Sequence, residues 1–156
     1  MIRQTFRLAV GVAAIALLPG LAQAQDKLRV GLMLPYSGTY AQLGEAIENG
    51  FRLYVEQNGG KLGGREIEYF KVDDESAPPK AADNMNKLVK RDNVDVVIGT
   101  VYSGVAMAMA RIARQTGTLM INPNAGADAV TGPMCAKNIF RSSFSNWQPG
   151  YATGEA

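Results

Sequence analysis

The chain has 156 residues, with 16 lysines and arginines against 14 aspartates and glutamates and no histidine. Setting aside Arg3 and Arg7, which fall in a leader, brings the basic count down to the acidic count of 14, so no basic stripe remains for nucleic acid. The absence of histidine removes the commonest general base and metal ligand, and Cys135, the single cysteine, has no partner within the chain.

Arg3 and Arg7 make a basic start, Leu8 to Leu18 is apolar, and Pro19-Gly20 breaks the run. Ala22-Gln23-Ala24 then offers small residues at the two positions a signal peptidase reads. This layout predicts a secretory signal over residues 1–24, cleaved between Ala24 and Gln25. A membrane-spanning helix needs about 20 apolar residues, more than this run supplies. No adjacent arginine pair and no cysteine at the cleavage site point to another export route or a lipid anchor.

Beyond the leader, short apolar runs alternate with helical patterns. Lys27 to Leu34 (KLRVGLML) reads as a strand stopped by Pro35. Ala41 to Asn58 carries Leu43, Ala46, Ile47, Phe51, Leu53, Tyr54 and Val55 close to helical spacing, with Asn58-Gly59-Gly60 as the stop. Glu66 to Val72 alternates apolar and charged residues, as a more exposed strand should. Lys80 to Arg91 is a helix entered through Pro78-Pro79, and Val94 to Gly99 (VDVVIG) is a mostly buried strand. An Ala/Met-rich helix follows over Gly104 to Gln115, with Met107, Met109 and Ile112 expected to face the sheet. Thr118 to Asn122 and Ile139 to Phe144 complete the strands. Strands separated by helices of this length imply βαβ units: an α/β fold with a Rossmann-like, doubly wound, mostly parallel sheet. Trp147 to Ala156 opens another helix without a following strand, so the sequence is expected to be the N-terminal part of a longer chain.

In an open parallel sheet, ligands bind beyond the carboxyl ends of the strands. Four segments lie there. Pro35 to Gly44 offers hydroxyls and ring faces around Gly38 but lacks the three-glycine spacing of a dinucleotide loop. In Gly99 to Gly104, Ser103 fits an N-cap, and the unpaired N–H groups of the first helical turn beside it favour an anion. In Asn122 to Asp128, Pro123 fixes the backbone, while Asn124, Ala125 and Gly126 are small enough for a ligand to approach their main-chain groups. Two such sets of donors at one edge suit a carboxylate. Asp73-Asp74-Glu75 could in principle hold a metal, but reads as solvated loop charge before a plain helix entry. Neither a catalytic nor a metal-ligating set is expected, and no cofactor is implied.

Taken together, the blocks KLRVGLMLPYSGTYAQLG, GGREIEYFKVDDESAPPKAADNMNKLV, VDVVIGTVYSG, LMINPNAGAD and NIFRSSFSNWQPGYATGEA, in this order and spacing, resemble the type I periplasmic solute-binding proteins of the branched-chain amino acid class. NPNAGAD with FRSSFSNWQPGYA is most similar to the subgroup that binds aromatic and other organic carboxylates. The resemblance implies two Rossmann-like lobes joined by three crossovers, closing on a ligand about a hinge. It assigns 25–143 to the N-terminal lobe and 144–156 to a first crossover, near Ser143 to Asn146, and the start of the second lobe. It implies that Ser103 and Gly104 hold the ligand carboxylate and that Asn124, Ala125 and Gly126 bind the head group through backbone atoms. Leu43, Tyr40 and Tyr102 would line the walls. Gly126 departs from the amino-acid-binding pattern, which carries a hydroxyl residue there; this weakens the case for leucine, isoleucine or valine. The implied function is a non-enzymatic periplasmic receptor that delivers a small carboxylate to the membrane permease of an ATP-driven importer. Two alternatives stand beside it: the ligand-binding region of a signalling receptor, and an exported metal-dependent α/β enzyme built on the acidic cluster.

Overall fold

The computed structural model describes residues 26–154; the expected signal sequence lies outside the described residues. Six strands form one sheet in the order β2-β3-β1-β4-β5-β6. They are β1 Leu28–Leu34, β2 Lys61–Leu62, β3 Arg65–Asp73, β4 Val96–Ile98, β5 Leu119–Asn122 and β6 Ile139–Arg141. Helices α1 (Ala41–Gln57), α2 (Pro78–Asn86), α3 (Ser103–Thr116), α4 (Asp128–Thr131) and α5 (Trp147–Gly154) fill the connections. Strands β3, β1, β4, β5 and β6 pair parallel with one another, an arrangement that needs the crossover connections the helices supply. The expected doubly wound sheet is therefore present.

Apolar patterning explains the layers. On one face, Met33, Val97 and Met120 of the sheet pack with Met85, Leu88, Val105 and Met109 beneath α2 and α3. Of the α3 residues expected in the core, Met109 is fully buried, whereas Met107 and Ile112 pack at the margin. On the other face, Val30, Leu32, Leu34, Val96 and Ile98 lie under Ile47 and Phe51 of α1. Each fully buried aliphatic side chain contributes about 1.5–3 kcal/mol. Leu53 and Tyr54, counted above in the helical pattern, face solvent at 55% and 57% exposure, because the inward stripe of α1 runs through Gly44, Ile47, Glu48, Phe51 and Val55 instead.

Three features differ from the sequence expectation. The two-residue β2 pairs antiparallel with β3 across Gly63 and Gly64, both at positive φ (55° and 80°), as the tightest hairpin turns require. The helix expected to continue to Arg91 is α-helical only to Asn86 and ends in a π-helical turn, Lys87–Arg91, where Asp92 N–H reaches back to Lys87 O at 3.0 Å. Its start lies at Pro78, since a helix's first turn has no intrahelical use for the N–H groups that proline lacks. Finally, β6 stops at Arg141, and Ser142 to Asn146 leave the sheet as a loop.

Candidate functional site

Strand β1 lies between β3 and β4, so the connections leaving β1 and β4 diverge at their carboxyl ends. Such a switch point opens a crevice at the sheet edge. Close backbone approaches build it. A Cβ on Gly99, just past β4, would lie 2.0 Å from Met33 O, and one on Gly44 would lie 1.9 Å from Pro35 O. Only glycine lets these chains pass at those points.

The α3 start carries the open donors. Tyr102, not Ser103 as expected, occupies the N-cap position: its backbone is extended (φ −84°, ψ 126°), and its carbonyl accepts the first intrahelical bond from Ala106 N–H at 3.1 Å. Ser103 is the first helical residue. Its hydroxyl caps nothing and has no protein partner among the described residues. The N–H groups of Ser103, Gly104 and Val105 likewise find no acceptor there, as the geometry of a helix start dictates. Three convergent donors, a free hydroxyl and the positive end of a 14-residue helix can hold an anion.

The neighbouring loop after β5 is held by hydrogen bonds of its own. Asn122, fully buried at the end of β5, turns its side chain along the loop. Its Oδ1 accepts the N–H groups of Ala125 at 2.9 Å and Asn124 at 3.3 Å, and its Nδ2 donates to Ala125 O at 2.7 Å. Ala125 N–H also reaches Thr100 O at 3.1 Å. The Asn124 and Ala125 amides are thus engaged within the protein rather than open to a ligand. Gly126 carries Asn146 N–H on its carbonyl at 2.7 Å, and a Cβ there would lie 2.2 Å from Asn146 Oδ1 and 2.9 Å from Phe144 Cε2. At Gly126, the side chains of Asn146 and Phe144 from the segment after β6 therefore pack against the glycine. Gly126 is buried, its N–H has no acceptor among the described residues, and the Asn124 side chain is half-buried.

The acidic cluster is not solvated loop charge. Asp74 is fully buried, accepts the Thr100 hydroxyl and, at 2.7 Å, Ser76 N–H, and donates its own N–H to Leu34 O at 3.0 Å. Burial raises its pKa, against the opposing pull of the Thr100 and Ser76 hydrogen bonds. Burial acts on Asp73 in the same sense, but hydrogen bonds from Tyr36 N–H, Ser37 and Glu75 N–H outweigh it and lower that pKa. Glu75 alone sits at the surface, paired with Lys80 at 2.7 Å. Among the described residues, no group of three or more acidic, cysteine or histidine side chains is arranged to hold a metal ion. The pairing of Asp74 with Thr100, which sequence reasoning missed, ties the ends of β1, β3 and β4 together, and Thr100 O ties in β5. The only sequence trace of this is a hydroxyl residue after Gly99 and an acid at the end of β3.

Tyr40 and Tyr102, expected as wall residues, are brought together. Their rings lie nearly parallel, at 18°, with centroids 6.5 Å apart. Leu43 stands in the first turn of α1, and all three are exposed, at 36%, 42% and 45% for Tyr40, Tyr102 and Leu43. Two surface hollows lie elsewhere. One of about 420 Å³ lies at the start of β1, where Arg65 is already bound to Asp95 and to the carbonyls of Asp26 and Lys27. Another, of about 600 Å³, lies between Arg111, Arg114, Gln115 and Met134.

Comparison with known proteins agrees with this architecture. The leucine-, isoleucine-, valine-, threonine- and alanine-binding protein of Pseudomonas aeruginosa is 33% identical over 131 residues, covering 83% of this chain and 35% of its own. A solute-binding protein of an ABC transporter from Rhodopseudomonas palustris, solved in complex with benzoate, is 62% identical with a TM-score of 0.81, over 83% of this chain and 36% of that one. A second such protein, from Rhodopseudomonas palustris BisB5 in complex with 3,4-dihydroxybenzoic acid, is 30% identical with a TM-score of 0.72, over 78% of this chain and 33% of that one. The chain thus spans about a third of the length of the proteins it matches. The family model described as periplasmic binding protein matches residues 27–156. With its doubly wound lobe and its crevice at the switch point, the chain belongs to the periplasmic binding protein family.

Proposed function

We propose that this chain is the N-terminal lobe, residues 25–143, of an extracytoplasmic receptor that captures a small carboxylate and presents it to the permease of an ATP-driven importer. The observation that carries this reading is the cluster of unengaged N–H groups at Ser103, Gly104 and Val105, beside the free Ser103 hydroxyl. A carboxylate has enough lone pairs to accept all of these donors. The complexes of the Rhodopseudomonas palustris neighbours with benzoate and 3,4-dihydroxybenzoic acid support the same ligand chemistry. Residues 1–24 act in this account as a cleaved signal that sends the chain to the periplasm. The segment from Ser143 to Asn146 forms the first crossover, and a second lobe closes over the bound solute. Capture needs no chemistry: the anion replaces water on preorganised donors, and hinge closure excludes solvent.

The test is calorimetric titration of the full-length protein with benzoate. Ser103→Ala should weaken binding by about 1–3 kcal/mol, through loss of a charge-assisted hydrogen bond. Unchanged affinity in that variant would remove Ser103 from the site.

A further inference from the structure

We propose that Asp73 is a positioning residue of the carboxylate site: a single oxygen of its side chain fixes the two loops that flank the open start of α3. The inference rests on the receptor reading above and gives a role in binding to a residue that acts through the backbone of others.

Asp73 closes β3 and stands opposite Leu34, the last residue of β1. The backbone pairing runs out there. Asp74 N–H reaches Leu34 O at 3.0 Å, and Pro35, next along, has no N–H to give. Both chains then leave the sheet, and the Asp73 side chain takes over from the ladder. Its Oδ1 accepts Tyr36 N–H from the loop after β1 and Glu75 N–H from the loop after β3, each at 2.9 Å. Among the described residues, no backbone carbonyl accepts an N–H from residues 36–40. The carboxylate is therefore the tether of that loop's main chain.

Both loops run to the α3 start. The first carries Tyr40, whose ring lies along that of Tyr102, the residue before Ser103. The second turns through Glu75 and Ser76, at φ 49° and 53°. Residues other than glycine keep this left-handed conformation only where their surroundings hold it. The turn brings Pro78 against Gly104, where an added Cβ would lie 2.8 Å from Pro78 Cγ. One oxygen thus governs what stands on either side of the Ser103 and Gly104 amides. Flanks fixed before the ligand arrives spare binding the cost of ordering them.

The experiment titrates the full-length protein with benzoate by calorimetry and follows amide hydrogen exchange in three variants. Asp73→Asn keeps an oxygen at the same reach, so Kd should stay within about threefold of native. Asp73→Ala removes the acceptor, and Asp73→Glu keeps the charge but carries it one bond farther out. Each should weaken benzoate binding about tenfold, through flanks that must now be ordered on binding. Exchange at Tyr36 and Glu75 should quicken in the alanine and glutamate variants and stay near native in the asparagine one. Should the alanine variant fail to fold, the asparagine and glutamate pair decides alone. Native affinity in the glutamate variant despite quickened exchange would overturn the positioning role while leaving the receptor reading standing. So would an asparagine variant that binds as weakly as the glutamate one while its exchange stays native. Failure of the native protein to bind benzoate would defeat the receptor reading and this inference with it.

Discussion

The loops that follow β4 and β5 lie side by side, joined by the hydrogen bond from Ala125 N–H to Thr100 O, and in sequence both look like small, polar turns. Their amides behave in opposite ways. After β4 the chain enters a 14-residue helix whose first N–H groups have no acceptor among the described residues. After β5 it meets Asn122, whose side chain folds along the loop and takes the amides of Asn124 and Ala125. One loop leaves its amides without an acceptor among the described residues, and the other has them satisfied by the protein. The difference is made by what stands at the strand end, an asparagine in one case and the helix itself in the other, and not by how small the loop residues are.

The strongest way to break this contrast is at Asn122. Replacing it with alanine removes three hydrogen bonds and leaves the buried Ala125 carbonyl without its donor, so stability should fall by about 3 kcal/mol in urea unfolding. A loss below about 1 kcal/mol would mean that the loop holds its shape without the side chain. Ser103→Ala should do the reverse. Because its hydroxyl has no protein partner among the described residues, the variant should change stability by less than about 0.5 kcal/mol while still weakening carboxylate binding as stated above.

Glu48 supplies a control away from both loops. Burial pushes its carboxyl up, but Lys71 and Arg52, each 2.8 Å away, and the Tyr36 hydroxyl outweigh this and bring its pKa from 4.5 to about 2. A depressed folded pKa gives stability that is present above pH 4.5 and is lost as pH falls toward 2. Its partners Arg52 and Lys71 are 40% and 50% exposed, so solvent screening limits the effect to about 1–2 kcal/mol. Glu48→Gln should remove that increment at neutral pH, flatten the acid side of the stability profile, and leave ligand affinity alone.

The smallest effect is expected at Asp74, where the sign is opposite. Its raised folded pKa means that stability is greatest while the group is protonated and declines as pH rises through that value. Asp74→Asn keeps a partner for the Thr100 hydroxyl and removes the buried charge. It should change stability at neutral pH by less than about 1 kcal/mol and abolish this part of the pH dependence. Thermal unfolding at several pH values checks both carboxylates.

The same contrast explains what could be read from the residues alone. Apolar runs such as VGLML in β1 and the Ala/Met face of α3 announce themselves by composition and period, because burial acts on every residue of an element. The site's position at the strand ends followed from topology. Features carried by one or two residues were silent. Strand β2 has only two residues, helix α4 is a single turn, and the π-helical turn after Asn86 keeps the same apolar stripe as the α-helix before it. The direction of an amide was hidden too, since Asn122 reads equally well as a strand end or as a turn former. Asp73-Asp74-Glu75 looked like solvated charge because the partner that buries Asp74, Thr100, is far away in sequence.

The most direct test of the account follows backbone amides by ¹⁵N–¹H correlation spectroscopy while benzoate is added to the full-length protein. The Ser103, Gly104 and Val105 signals should move to lower field as their N–H groups take up the carboxylate, while Ala125, held by Asn122 and Thr100, should stay near its free position. Movement of Asn124 and Ala125 with no response from residues 103–105 would contradict it.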